Sequence, residues 1–382
     1  KAFETAQKAR ELLPREPHVG DTLGWIVYKK GEYSWALSLL QESADQLPDS
    51  ADVQFHLGMA HYMMGEEAAA KLSLERALQL NAAFTGADEA REALAMMAID
   101  PATATAATQA RLEKREAARQ DDPVALARLA TIYIRQGNTD KALAAYETAL
   151  KANPKNLAVS IALIRLYETR NDTAKAFDLA KAARKLAPNN PEIAHALGRL
   201  AFQTGDYGWA SSLLQEASAK LPDNAAVLRD FARALYSVGR VPAAEDAMRA
   251  ALQAGLPAAQ ADQAKAFLAL TALAADPAAA VAASATVAQQ LKTTPDDVPA
   301  LVARATAEEK TGDTTAAKQT YTQVLDRYPD FVPAKRQLAI LYAATGENNP
   351  KALDFANKAR TAFPGDPELA KALGLLLYRQ AE

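Results

Sequence analysis

Small and apolar residues recur along this chain at fixed offsets, with a period of about 34 residues, the length of a two-helix repeat. Gly24, Gly31, Tyr33, Ala36 and Pro48 form one copy, and Gly198, Gly205, Tyr207, Ala210 and Pro222 form another with identical internal spacing. A period of this length predicts pairs of helices joined by tight turns and stacked as a solenoid. Such folds present long concave surfaces, which bind other macromolecules, and have no enclosed pocket; each repeat is expected to touch only its neighbours. Gly, or Asn, at the middle of the period can take the left-handed conformation that ends the first helix. Small residues fall where the two helices cross, and Pro stops the second helix. The pairs Asp122-Pro123, Asn190-Pro191 and Asp366-Pro367 each supply an N-cap and a first-turn Pro for the helix that follows.

The copies span residues 17–48, 51–82, 123–154, 157–188, 191–222, 225–256, 298–329 and 332–364. In 157–188, Asn171 replaces the turn Gly, and 332–364 carries one extra residue near Asn348–Asn349. Two stretches, 83–122 and 257–295, lack the motif but read as degenerate repeats. Each is expected to hold a long first helix, a Pro turn at Asp100-Pro101 or Asp276-Pro277, and an Ala-rich second helix. Neither is Gly/Ser-rich, so neither reads as a linker. Residues 1–14 and 367–382 match half-repeats, which predicts one continuous array, 1–382, within a longer parent protein. A larger period is also present. Trp35-Ala-Leu-Ser-Leu-Leu-Gln-Glu42 matches Trp209-Ala-Ser-Ser-Leu-Leu-Gln-Glu216, so a block of about five repeats occurs twice.

The small-residue, Gly and Pro positions resemble the tetratricopeptide repeat (TPR) family over nearly the whole chain. That resemblance implies an all-α fold, a right-handed TPR superhelical solenoid of antiparallel helix pairs. The phrase from Asp21 to Tyr33, followed by Phe55-His-Leu-Gly58, is also similar to long bacterial TPR proteins of exopolysaccharide and exosortase (PEP-CTERM) systems. This narrower likeness implies an envelope scaffold and favours bacterial periplasm over cytoplasm.

Composition narrows the function. Net charge is −3 with a pI near 6.0, which gives no global footprint for nucleic acid. Hydrophobic residues make up 49%, but Ala alone accounts for roughly a quarter of the chain, so the core should be thin and helix-on-helix. The absence of Cys excludes disulfides and thiolate metal sites. No apolar run is long enough to span a membrane. His56 and His61 lie five apart and do not share a helix face as a metal pair would. Neither a nucleophile constellation nor a phosphate loop is visible. Asn171-Asp-Thr173 fits a glycosylation pattern but reads as a turn. No enzyme, cofactor or metal site is expected.

The TPR resemblance places the groove on the first helices. The chaperone-type clamp is absent, its positions holding pairs such as Asp21/Trp25 and Phe55/Met59, and so is the Asn ladder of the sugar-transferase class, whose position holds Thr22, His56 and Arg128. Two other patterns occur. Arg165, Arg199 and Arg233 recur at one position of successive repeats, with Arg128 and Arg229 nearby, and should stand in a row about 10 Å apart. Such a row suits an acidic peptide or an anionic polysaccharide through bidentate hydrogen bonds. Trp25, Tyr28, Phe55, Met59, Tyr62 and Met63 form an apolar stripe that accepts amphipathic segments, or packs on itself. The leading expectation is a non-enzymatic scaffold binding protein partners in its groove. The alternatives are a targeting arm of a larger enzyme and an envelope protein binding anionic polysaccharide.

Overall fold

The computed structural model describes residues 1–347 and 349–381. Asn348, beside the expected extra residue, and Glu382, the last of the half-repeat 367–382, lie outside the described residues. Among the described residues all regular structure is helical. The chain divides into two compact units, Lys1–Pro188 and Asn189–Glu382.

Local chemistry sets the helix ends. Asp122 and Asn190 accept backbone N–H bonds from Ala125 (3.1 Å) and Ile193 (3.2 Å), and Asp366 accepts from Leu369 (3.1 Å), each just before a Pro-started helix. The turn between helices takes a positive φ at Gly205 (85°) and at its equivalents, and Asn171 (59°) is the one non-Gly residue there among those described. Helix pairs approach closely at small residues. At Gly198, an added Cβ would lie 2.6 Å from Leu214. Leu214 and its counterpart Leu40 are fully buried, each contributing about 1.5–3 kcal/mol by leaving water.

In the first unit, α1 (Ala2–Leu12) precedes the pairs α2 (Pro17–Lys29)/α3 (Tyr33–Gln46) and α4 (Ala51–Met64)/α5 (Glu67–Leu80). Then come α6 (Ala87–Met97) and α7 (Ala106–Ala118), followed by α8 (Pro123–Arg135)/α9 (Thr139–Ala152) and α10 (Leu157–Thr169)/α11 (Thr173–Leu186). The degenerate stretch differs from its expected form. Its first helix, α6, is short, and residues 98–105 connect it to α7. That shortness lets α4 touch α8 directly. Tyr62 donates to Asp122 at 2.8 Å, and Asn153 donates to the Met63 carbonyl at 2.8 Å. The second repeat is therefore bonded to the fourth, and the expectation that each repeat meets only its neighbours fails here.

The second unit repeats the plan. It contains α12 (Pro191–Gln203)/α13 (Tyr207–Lys220), α14 (Ala225–Ser237)/α15 (Val241–Gln253), and the long α16 (Ala258–Ala275). Two short helices follow, α17 (Pro277–Ala282) and α18 (Ser284–Thr293), in place of the single second helix expected. The unit closes with α19 (Val298–Lys310)/α20 (Thr314–Arg327), α21 (Val332–Thr345)/α22 (Ala352–Ala362) and α23 (Pro367–Ala381). Again the second repeat meets the turn after the fourth. The Phe331 ring lies 5.1 Å from Tyr236 of α14, and in the repeat before it Tyr207 of α13 donates to the Arg327 carbonyl at 3.0 Å.

Candidate functional site

The duplication allows the two units to be compared position by position. Trp25, Phe55 and Met59 in the first unit stand at the positions of Arg199, Arg229 and Arg233 in the second, one long period on. In the first unit these positions build an interior. Trp25 stacks on Tyr28 (4.5 Å) and His56 (4.1 Å), and Phe55 packs on Phe84 (5.3 Å). Gly86 presses against the Phe55 ring so closely that no Cβ would fit. Tyr28, Phe55, Met59, Tyr62 and Met63 are all buried, leaving Trp25 alone partly exposed, with the Lys29 ammonium 4.4 Å above it. Burial pushes the Tyr28 hydroxyl up to about 12, against the pull of Arg119. The apolar stripe is thus mostly covered, and at Phe55 the cover comes from Phe84 and Gly86 of the degenerate stretch. The period says nothing about how that stretch packs.

In the second unit two of these positions, Arg229 and Arg233, line a cleft of about 480 Å³. Arg229 and Arg233 of α14 and Arg327 of α20 stand around it. Met248, Phe267 and Leu270 give it an apolar side, and Asp296 and Asp297 also face it. A second cleft of about 340 Å³ shares the three arginines and reaches Arg199 and Phe202. The Arg233 guanidinium lies 4.9 Å over the Phe202 ring, and it forms no ion pair among the described residues. Arg327 comes only within 4.0 Å of Asp296, whose side chain is 70% exposed.

Arg229 is less free, since its guanidinium donates to buried Asp230 at 2.7 Å. Asp230 also meets His195 at 2.9 Å. Burial raises the Asp230 carboxyl, but His195 and Arg229 together hold it below the usual carboxylate range. Asp297 caps α19 by accepting from Ala300 and also accepts from Gln290 at 2.9 Å. Its counterpart Asp122 caps α8 and accepts from Arg115 at 2.8 Å. Two cations, Arg233 and Arg327, therefore remain open to an incoming anion at the mouth of a half-apolar cleft.

The other arginines of the expected row, Arg165 and Arg128, belong to the first unit. Arg165 is an exposed residue of α10 in the first unit. Arg128, also there, donates to Glu67 at 2.5 Å and to the Met97 carbonyl at 3.1 Å, which ties α8 to α5 and α6. Arg327, Phe267 and Met248 escaped the sequence reading, which searched only the first-helix positions of regular repeats. The larger period held the signal, because Arg327 and Tyr328 correspond to Ala152 and Asn153 at the closing contact of the first unit. His56 bonds Asp21 (2.8 Å) and His61 bonds Glu66 (2.6 Å), so each histidine is held by its own carboxylate. Among the described residues no cluster of three or more His, Cys, Asp or Glu could hold a metal, and no helix is long and apolar enough to cross a membrane.

Stacked helix pairs with a cleft between them define a repeat scaffold of the kind that binds other proteins. Models of the tetratricopeptide repeat match residues 51–84, 127–191, 195–259 and 310–380, together more than half of the chain. The chain belongs to the tetratricopeptide-repeat family. The matched segments leave out 85–126 and 260–309, which hold most of the two degenerate stretches. Among solved structures it is similar to the TPR domain of P58(IPK), at 17% identity and TM-score 0.37, covering 96% of this chain and 99% of that one. It is also similar to pilF of Pseudomonas aeruginosa, at 15% identity and TM-score 0.35, covering 70% and 99%. A third is MamA, at 18% identity and TM-score 0.31, covering 52% and 94%. No curated protein matches the sequence significantly.

Proposed function

We propose that this chain is a non-enzymatic scaffold that holds an acidic segment of a partner protein against the cleft of its second unit. Arg233 carries the reading. It is exposed, without an ion pair among the described residues, and set beside Arg327 at the mouth of the cleft. An unpaired guanidinium in this position gains bidentate hydrogen bonds when a carboxylate arrives. The apolar side, formed by Met248, Phe267 and Leu270, favours a peptide over a polysaccharide, because it offers surface for a side chain to bury.

The test is fluorescence anisotropy of the whole chain with short labelled peptides of acidic, neutral and basic sequence. Acidic peptides should bind and the others should not. Affinity should fall as salt is raised, since the arginines are solvent-accessible. R233E/R327E should weaken binding at least tenfold. Equal binding of neutral peptides, an undiminished double variant, or preference for an acidic polysaccharide would each overturn the assignment.

A further inference from the structure

The duplicated interior shows what the cleft lacks. In the first unit the rings of Trp25, Phe55 and Phe84 fill the space between the second repeat and the degenerate stretch. At the same register the second unit has Arg199, Arg229 and Ala258, so none of the three rings is present, and Arg229, in the place of Phe55, lines a cleft. Around it the frame is kept. Tyr62 and Tyr236 are both buried, as are Ala90 and Ala264, and Asp122 and Asp297 both cap the first helix of the fourth repeat. The space is thus a vacated aromatic site on a retained frame, now edged with guanidinium groups.

We infer that the cleft takes a two-part anchor from its partner, an aromatic side chain directly beside a carboxylate. This deepens the acidic-segment reading above and rests on it. The ring enters against Phe267, Met248 and Leu270 and replaces the aromatic packing that the first unit supplies from its own chain. The carboxylate meets Arg233 and Arg327. The volume, about 480 Å³, lies within the range of pockets that bury a small ligand or an anchoring side chain. The charge count selects the anion. Asp230 already engages Arg229, and Asp296 and Asp297 face the same cleft. Arg229, Arg233 and Arg327 are thus matched in number by Asp230, Asp296 and Asp297, and a cleft with no net excess suits one carboxylate better than a phosphate dianion. The first unit, its site filled by its own rings, takes no such anchor.

Four labelled peptides that differ at two adjacent residues, Trp-Glu, Trp-Gln, Ala-Glu and phosphoserine in place of Glu, test this against the whole chain. The Trp-Glu peptide should bind best, and loss of either the ring or the charge should weaken it at least tenfold. A free C-terminal carboxylate beside Trp should substitute for Glu, whereas its amide should not. A266F, at an exposed position that lines the cleft, puts a ring of the chain's own there. It should reduce binding while leaving every arginine in place. R229F/R233M, which writes the first unit's residues into the second, should abolish binding, and an unchanged thermal melt would confirm that the fold is intact. If Ala-Glu binds as well as Trp-Glu, the anchor is wrong and the acidic-segment reading survives. If phosphoserine binds better, the carboxylate assignment is wrong. If no acidic peptide binds, both readings fall.

Discussion

Gly205 and Gly239 occupy the same turn in successive repeats, and their surroundings separate two costs. Both have positive φ, 85° and 79°. A Cβ at Gly205 would meet nothing within 4 Å, whereas at Gly239 it would lie 2.5 Å from Pro333 Cδ and 2.9 Å from the Val332 nitrogen. G205A should therefore cost about 1 kcal/mol from the left-handed backbone alone. G239A should cost about 3 kcal/mol, because the ring and backbone it strikes cannot step aside cheaply. Urea unfolding of both variants measures the difference, and equal costs would show that the contact at Gly239 yields. A second pair of positions records a compensated exchange. Asp21 bonds His56 in the first unit, and at the equivalent positions of the second His195 bonds Asp230, with the partners reversed. The exchanged variant D21H/H56D should therefore be more stable than the sum of its single changes predicts, with a coupling of about 1 kcal/mol in a double-mutant cycle. A coupling near zero would mean that the stack of Trp25 on His56, not the hydrogen bond, fixes this contact.

Helix ends were legible in the sequence because they are local. Asn171 in the turn, and Asp122, Asn190 and Asp366 as caps, act on backbone a few residues away. The closing contact of the first unit was not legible, because it depends on α6 being short and on residues 98–105 leading the chain back. No local pattern encodes where Asp122 arrives. Once there, it serves three elements: it caps α8, accepts from Arg115 of α7 at 2.8 Å, and accepts from Tyr62 of α4 at 2.8 Å. Its side chain is 1% exposed. D122A should cost roughly 3–5 kcal/mol, since it leaves the largely buried Arg115 guanidinium with Glu92 alone, orphans the Tyr62 hydroxyl and uncaps a helix. Y62F should cost only about 1 kcal/mol, the value of one hydrogen bond. In hydrogen exchange, D122A should expose amides of α4 together with those of α7 and α8. Loss confined to α8 would reduce Asp122 to a simple cap.

At the scale of the molecule, the short period correctly announced stacked helix pairs and misled about how far each repeat reaches. A stack in which every repeat meets only its neighbours unfolds piecemeal. Here each unit, taken by itself, carries a contact that joins its second repeat to the turn after its fourth. The first unit makes that contact with polar groups, through Asn153 and the Met63 carbonyl. The second makes it with rings, since Tyr328 and Phe331 take the places of Asn153 and Asn156. The aromatic version also sets one edge of the cleft, so the residues that close the second unit position its arginines too. Phe331 is 1% exposed and packs on Tyr236 of α14. F331A should cost roughly 3–5 kcal/mol, as for other buried aromatic truncations. The distribution of the loss distinguishes the architectures. If the closing contact makes the unit cooperative, exchange protection should fall in α14 and α16 as well as in α20 and α21. Tyr342→Ala, a buried residue of α21 away from that contact, should loosen mainly α21 and its packing partners α20, α22 and α23. Protection lost only around residue 331 in F331A would restore the piecemeal stack, and with it a cleft whose walls move independently.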